Sequence, residues 1–94
     1  MLPGPSVTSD EALTEDLRRR GVSNLHPVGS CRMGPGADAA VDSRLRVHGV
    51  SGLRVIDASI MPQVVGGNTN APAIMIGEKG AAMVLEDAQR QAQL

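Results

Sequence analysis

Apolar residues recur at helical spacing near the two ends of the chain and lose any period between them. Leu13 and Leu17, at i and i+4, give a thin apolar stripe. Thr8 with Glu11 fits a capping box, Ser9 is an alternative N-cap, and Gly21 suits a C′ position. Asp10 and Glu11 then meet the positive end of the helix dipole, and Arg18–Arg20 the negative end. A helix is therefore predicted over 9–20, which makes the arginine run a solvated helix end. A second helix is predicted from Pro72 to Gln89, with Pro72 in its first turn and Asn70 as cap. Ala73, Gly77 and Ala81 fall on one face of it as a small-residue groove. Gly77 and Gly80 each cost about 1 kcal/mol relative to Ala in a helix, which implies tight packing against a neighbour or cofactor.

Residues 1–8 carry Pro3 and Pro5 and read as an irregular lead-in. From Val22 to Val41 neither period is present, and a loop of that length in a compact domain is usually functional or disordered. Two extended segments follow, near 44–47 and 53–57, joined by His48-Gly49-Val50-Ser51-Gly52, which has hairpin chemistry. The adjacent Val55 and Ile56 suggest a strand covered on both faces, running into Asp57-Ala58-Ser59. A second loop, 62–70, carries Gly66-Gly67 and two asparagines. The expectation is α+β for the chain by itself: helix, long histidine loop, short hairpin, helix.

Composition changes this picture in one respect. A chain of 94 residues holds at most one small domain. Its apolar fraction, 41%, is ordinary, yet it has no Phe, Tyr or Trp to anchor a core. With one cysteine and two histidines it has neither an internal disulfide nor zinc-ligand spacing. The expectation is a marginal core and a chain that belongs to something larger. A net charge of −1 makes no case for nucleic acid or an anionic membrane. No apolar run approaches the ~20 residues of a membrane span, and the start lacks the basic region of a signal peptide, so a cytoplasmic location is the default expectation.

Three features carry candidate chemistry. His26 lies in a glycine-rich loop, although a loop histidine before proline is by itself most often exposed or structural. A short strand ends at Asp57-Ala58, and carboxyl ends of strands in α/β sheets are where ligands bind. Gly66-Gly67-Asn68-Thr69-Asn70 leads into a helix N-terminus, whose free N–H groups favour an anion or an electron-rich carbonyl. Cys31 reads as a packing residue and His48 as an exposed turn residue.

Read together, these segments resemble one family. His26-Pro27-Val28-Gly29-Ser30-Cys31-Arg32-Met33-Gly34 is similar to the histidine loop of the glucose–methanol–choline (GMC) oxidoreductases. Gly52 to Pro62 resembles their late strand, and Gly67 to Pro72 with Ile74 to Lys79 their final loop and helix, especially in choline dehydrogenase-like members. Ser9 to Leu13 fits the helix before the histidine loop, so the resemblance runs from about Gly4 through most of the chain.

The resemblance implies an FAD-dependent oxidoreductase acting on the CH–OH group of a small-molecule alcohol. Residues 1–94 would form a single C-terminal segment of it. In that context the fold would be α/β, the last strand and helix completing an FAD domain. His26 would be the general base, suited to the task because histidine ordinarily titrates near neutral pH. Asn68 would donate a hydrogen bond to the developing alkoxide; a two-residue shift of register would select Asn70 instead. Asn68, Thr69, Asn70 and Pro72 would face the flavin pyrimidine edge, and Asp57 and Ala58 the ribityl–pyrophosphate. The dinucleotide fingerprint G-x-G-x-x-G is absent, so the N-terminal FAD-domain portion would be a partner. The chain alone is expected neither to hold FAD tightly nor to turn over an alcohol. The rival reading is a non-catalytic helix–hairpin–helix interaction module docking through its Ala/Gly face.

Overall fold

A computed structural model describes residues 2–94, so Met1 of the lead-in lies outside the described residues. The element order is helix α1 (Asp10–Arg20), a one-turn 3-10 helix (Ala58–Ile60) and helix α2 (Asn70–Ala92).

α1 starts where Ser9, in extended backbone, accepts a hydrogen bond from the Ala12 N–H at 3.2 Å. Ser9 rather than Thr8 is therefore the cap. Gly21 donates to the Leu17 carbonyl at 2.7 Å from extended backbone, φ −62°, so the predicted left-handed C′ residue is not formed. The helix buries no residue, and Leu17 of its apolar stripe is 70% exposed.

The predicted hairpin is reduced to isolated bridges, and no strand forms among the described residues. Arg46 pairs antiparallel with Arg54, Val41 antiparallel with Val47, and Met33 parallel with Val41. The turn 48–52 sits where expected, with Val47 donating to the Leu53 carbonyl at 3.0 Å and Val55 to the Leu45 carbonyl at 3.1 Å. What breaks the strand is local. The Asp42 carboxylate accepts from the Arg44 and Arg46 N–H groups at 2.8 and 3.0 Å, folding the backbone over itself. Leu45 between them is forced to φ 64°, a left-handed conformation incompatible with a continued ladder, and it is held there by burial. The second segment also ends early. Val55 and Ile56 are half-buried rather than covered on both faces, and Asp57 caps the 3-10 turn instead of extending a strand.

The core is small and wholly aliphatic: Val41 is fully buried, with Leu45, Ile60, Met61 and Ile76 around it. Val28, Met33, Val47, Val55, Ile56 and Met83 pack on its edges. α2 contributes Ile76 and Gly80 and is longer than predicted at both ends. Its close approach is at Gly80, where an added Cβ would lie 2.3 Å from Ile56 Cγ2. Gly77, by contrast, has no atom within 4 Å of that position, so the predicted groove at Ala73, Gly77 and Ala81 is not what packs within the chain. Charge supplements the core. Arg44 reaches the Met83 carbonyl, Glu86 and Asp87 at 3.2, 3.1 and 2.8 Å, and Arg54 pairs with the other Asp87 oxygen. Among the described residues no helix is long and apolar enough to cross a membrane.

Candidate active site

The site is assembled by three loops meeting at the start of α2. The histidine loop is fastened by its backbone: Cys31 donates to the Ser59 carbonyl at 3.0 Å and Met33 to the Ile60 carbonyl at 2.8 Å. Its far limb is held as Ala40 donates to Arg32 and His48 Nε2 lies 3.0 Å from the Gly34 carbonyl, so the exposed His48 does have a partner. Just before His26 the chain reverses. Leu25 takes φ 62°, a left-handed conformation for a non-glycine residue, and its N–H donates to Ser23 Oγ at 3.1 Å. Backbone of this kind persists only where its surroundings fix it, and it clusters at functional sites.

That reversal turns the half-buried His26 ring toward α2. Its Nδ1 lies 2.8 Å from Thr69 Oγ1, and the Thr69 N–H donates to the same nitrogen at 3.4 Å. Nδ1 is thereby occupied from the helix side, which leaves Nε2 as the ring nitrogen with no protein partner among the described residues. An open cleft of about 400 Å³ lies against the ring, lined by His26, Pro27, Val65, Gly66, Gly67 and Asn68 among others. His26 and Asn68, the predicted base and donor, thus share one cleft. A larger hollow of about 710 Å³ lies between the 48–52 turn and the far end of α2, lined by Arg46, Leu53, Asp87 and Arg90 among others. Its histidine, His48, has Nε2 engaged with the Gly34 carbonyl at 3.0 Å, and the size of the hollow alone does not make it the site.

The remaining predicted residues divide. Thr69 precedes α2 as its N-cap residue, but its side chain makes no capping bond. The first intrahelical bond runs from the Ala73 N–H to the Thr69 carbonyl at 2.9 Å. The N–H groups of Asn70 and Ala71 have no protein partner among the described residues, and Pro72 has none to satisfy. Asn70 is therefore the first helical residue rather than the cap. Asp57 and Ala58 do not line the His26 cleft. The Asp57 carboxylate is engaged at home: the Ser59 hydroxyl and its N–H, at 2.7 Å, hold it below the usual carboxylate range against a small burial cost.

Two participants were not legible beforehand. Thr69 was expected through its backbone, whereas its hydroxyl contacts the base candidate. The signal was its chemistry, a hydroxyl between Asn68 and a helix start, which reads equally as an ordinary cap. Leu25 gave no signal at all, since a leucine is not a residue type that marks a left-handed conformation.

The uncapped start of α2 thus lies next to a cleft lined by both a histidine and an amide. A family model described as GMC oxidoreductase matches residues 1–77, and the chain belongs to that family. It is 51% identical to an alcohol dehydrogenase [acceptor] of Pseudomonas putida, over 90% of this chain and 15% of that protein. It is 56% identical to oxygen-dependent choline dehydrogenase 1 of Chromohalobacter salexigens, over 87% of this chain and 15% of that protein. Among solved structures, pyridoxine 4-oxidase from Mesorbium loti matches with a TM-score of 0.69 and 39% identity, over 87% of this chain and 16% of that one. The chain thus spans about a sixth of the length of the relatives it matches.

Proposed function

We propose that residues 1–94 act as one C-terminal segment of an FAD-dependent oxidoreductase that oxidises the CH–OH group of an alcohol, with His26 as general base. The observation that carries this reading is the shared cleft. His26 is anchored through Nδ1 by Thr69, its Nε2 is free, and Asn68 lines the same hollow beside the open start of α2.

The residues present fit a flavin at one edge only. The unpaired N–H groups of Asn70 and Ala71, backed by the dipole of a 23-residue helix, suit a ring carbonyl that gains negative charge. Asn68, Thr69, Asn70 and Pro72 would hold that edge. Asp57 and Ala58 would lie toward the ribityl–pyrophosphate through backbone groups, since the Asp57 carboxylate is already spoken for. Among the described residues no strand–helix–strand unit exists to hold an adenosine, so an FAD-domain portion is the partner this reading requires. FAD, when bound, supplies the acceptor for the carbinol hydride. The chain's own work is at the oxygen: Nε2 of His26 takes the hydroxyl proton, and the Asn68 amide donates to the oxygen as it becomes anionic. An amide stabilises that charge without titrating. The similarity to an alcohol dehydrogenase and a choline dehydrogenase supports an alcohol as the substrate class.

The test is a graft. The matching segment of the Chromohalobacter choline dehydrogenase is replaced by this chain, and flavin content and choline oxidation are measured. The graft should retain flavin and activity. His26→Ala should keep the flavin and lose about 10²–10⁴-fold in turnover, the range of a removed general base. Full turnover in His26→Ala would remove the base assignment.

A further inference from the structure

We propose that Val64 and Val65 are specificity-determining residues of the His26 cleft, and that the alcohol they select carries an uncharged aliphatic group rather than a cationic one. The inference rests on the reading of this cleft as the alcohol site and names the kind of alcohol its wall is built for.

The two valines have no task within the chain. Val64 is 79% exposed and Val65 36%, and neither belongs to the aliphatic core or packs on its edge. Both nevertheless line the cleft that holds His26 and Asn68. A single apolar side chain on a surface needs no explanation, but two neighbours on the wall of a cleft beside a base candidate do. With a volume of about 400 Å³, the cleft brings them within reach of an alcohol whose oxygen lies between His26 and Asn68. Both are β-branched, so their side chains are held to few rotamers and the wall keeps its shape.

Charge decides what such a wall prefers. The remaining lining side chains are neutral: the amides of Asn24 and Asn68, the Ser23 hydroxyl and Pro27. The Ser23 hydroxyl already accepts from the Leu25 N–H. No carboxylate lines the cleft among the described residues, and the chain has no aromatic ring. A quaternary ammonium is held by a carboxylate or by the face of an aromatic ring, and valine offers it contact without replacing the hydration it gives up. His26 weighs in the same direction. Once the ring holds the proton of the alcohol it is itself a cation, and a second positive charge in the cleft opposes that step. An aliphatic group, by contrast, leaves water favourably against the two valines and brings no charge.

The test places this chain in the Pseudomonas putida alcohol dehydrogenase, in place of the matching segment. Choline is compared with its uncharged isostere, in which a tert-butyl group replaces the trimethylammonium, so that the two alcohols share a shape and differ in charge. The graft should favour the uncharged alcohol in kcat/KM by at least about tenfold. Val64→Thr combined with Val65→Thr keeps branching and volume and adds two hydroxyls. It should lower kcat/KM for the uncharged alcohol about tenfold, through KM with kcat held, while choline changes little and flavin content stays the same. In His26→Ala the same preference, and its loss in the threonine pair, should appear in dissociation constants read from the flavin absorbance. A graft that prefers choline, or a threonine pair that affects both alcohols alike, overturns the proposal. So does a threonine pair that sheds flavin, because the valines would then belong to the seam with the FAD domain. If the dissociation constants follow the valines while His26→Ala turns over fully, the base assignment falls and the wall stands. If His26→Ala is inactive and the constants ignore the valines, the wall falls and the base stands.

Discussion

Asn68 and Gly80 show how differently single residues are constrained at the two ends of the site. Asn68 is exposed on a loop and lines the His26 cleft, so the proposed function asks of it a hydrogen bond rather than packing. In the grafted enzyme Asn68→Ala should reduce kcat about 10²-fold, as loss of one preorganised donor does, with flavin content unchanged. Gly80 contributes packing alone. A Cβ there would meet Ile56 Cγ2 at 2.3 Å and Cδ1 at 3.0 Å, and Cγ2 sits on a branched β-carbon that cannot swing away. The gain in helix propensity from Gly→Ala is about 1 kcal/mol and overpacking costs about 1–3 kcal/mol, so Gly80→Ala should destabilise the chain by up to about 2 kcal/mol. Gly77→Ala, with open space at the same atom, should stabilise it by about 0.5–1 kcal/mol. Urea denaturation of both variants, with Ile56→Ala added to rescue Gly80→Ala, checks the pair. The sequence pointed to glycines on α2 as close contacts but not to which one, because the facing residue comes from a segment whose register was not legible. The proposed catalytic pair was brought into one cleft from another kind of signal. His26 and Asn68 sit in motifs with fixed order, whereas the Thr69 hydroxyl acts across 43 residues and leaves no local pattern.

At the scale of elements, helices were readable and pairing was not. Caps, charge gradients and Pro72 place both helices to within a few residues, because those signals are local. The hairpin was misjudged since Asp42 closes a local turn: its carbonyl takes the Leu45 N–H that a ladder to Val55 would have used, and its carboxylate takes those of Arg44 and Arg46. In place of a sheet, a charged clamp joins the 42–54 region to the second half of α2. Asp87 receives Arg54 on one oxygen and Arg44 on the other, and Glu86 adds to Arg44. First the Arg54 hydrogen bond, then that of Arg44 and the two positive charges, hold the Asp87 carboxyl below the usual carboxylate range, against desolvation. A folded-state pKa below the unfolded value gives stability that is complete above the unfolded value of about 4 and is lost as pH falls through the folded one. The clamp should therefore hold at pH 5–7 and release below about pH 4. Amide protection along 84–92, taken relative to the intrinsic exchange rate at each pH, should fall on acidification through that window, and Asp87→Asn should lower it already at pH 6. The exposed edge of the clamp makes 0.5 M salt act in the same direction. Asp42, also held low by the backbone and side chain of Arg46 despite burial, titrates in the same region, and the 84–92 readout in Asp87→Asn separates the two.

The molecule as a whole measures 70 × 27 × 16 Å with a radius of gyration of 19.5 Å, where a compact chain of this length has about 12 Å. Its fully and nearly buried cluster is five aliphatic residues, and Ile74, Leu85, Leu53, Val64 and Leu17 are all more than half exposed. Apolar surface on this scale is what a chain presents when its covering comes from elsewhere. α1 makes the point most sharply. It has 11 residues, buries none of them and rests on the Ser9 cap and two i,i+4 pairs, Glu15–Arg19 and Asp16–Arg20. Isolated helices shorter than about 12–15 residues are marginal in water, and exposed pairs add only about 0.3–0.5 kcal/mol each. In the free chain α1 should therefore exchange its amides nearly as fast as unstructured peptide, and trypsin should cut first at Arg18–Arg20, while the Ile76–Gly80 turn of α2 stays protected by the core. In the grafted enzyme, Leu13 and Leu17 acquire a surface to bury against. Protection of α1 should then rise at least about tenfold, which corresponds to about 1.4 kcal/mol of new local stability. Equal protection in both settings would mean that α1 holds itself, and the exposed leucines would lose their explanation as a seam awaiting the rest of the fold.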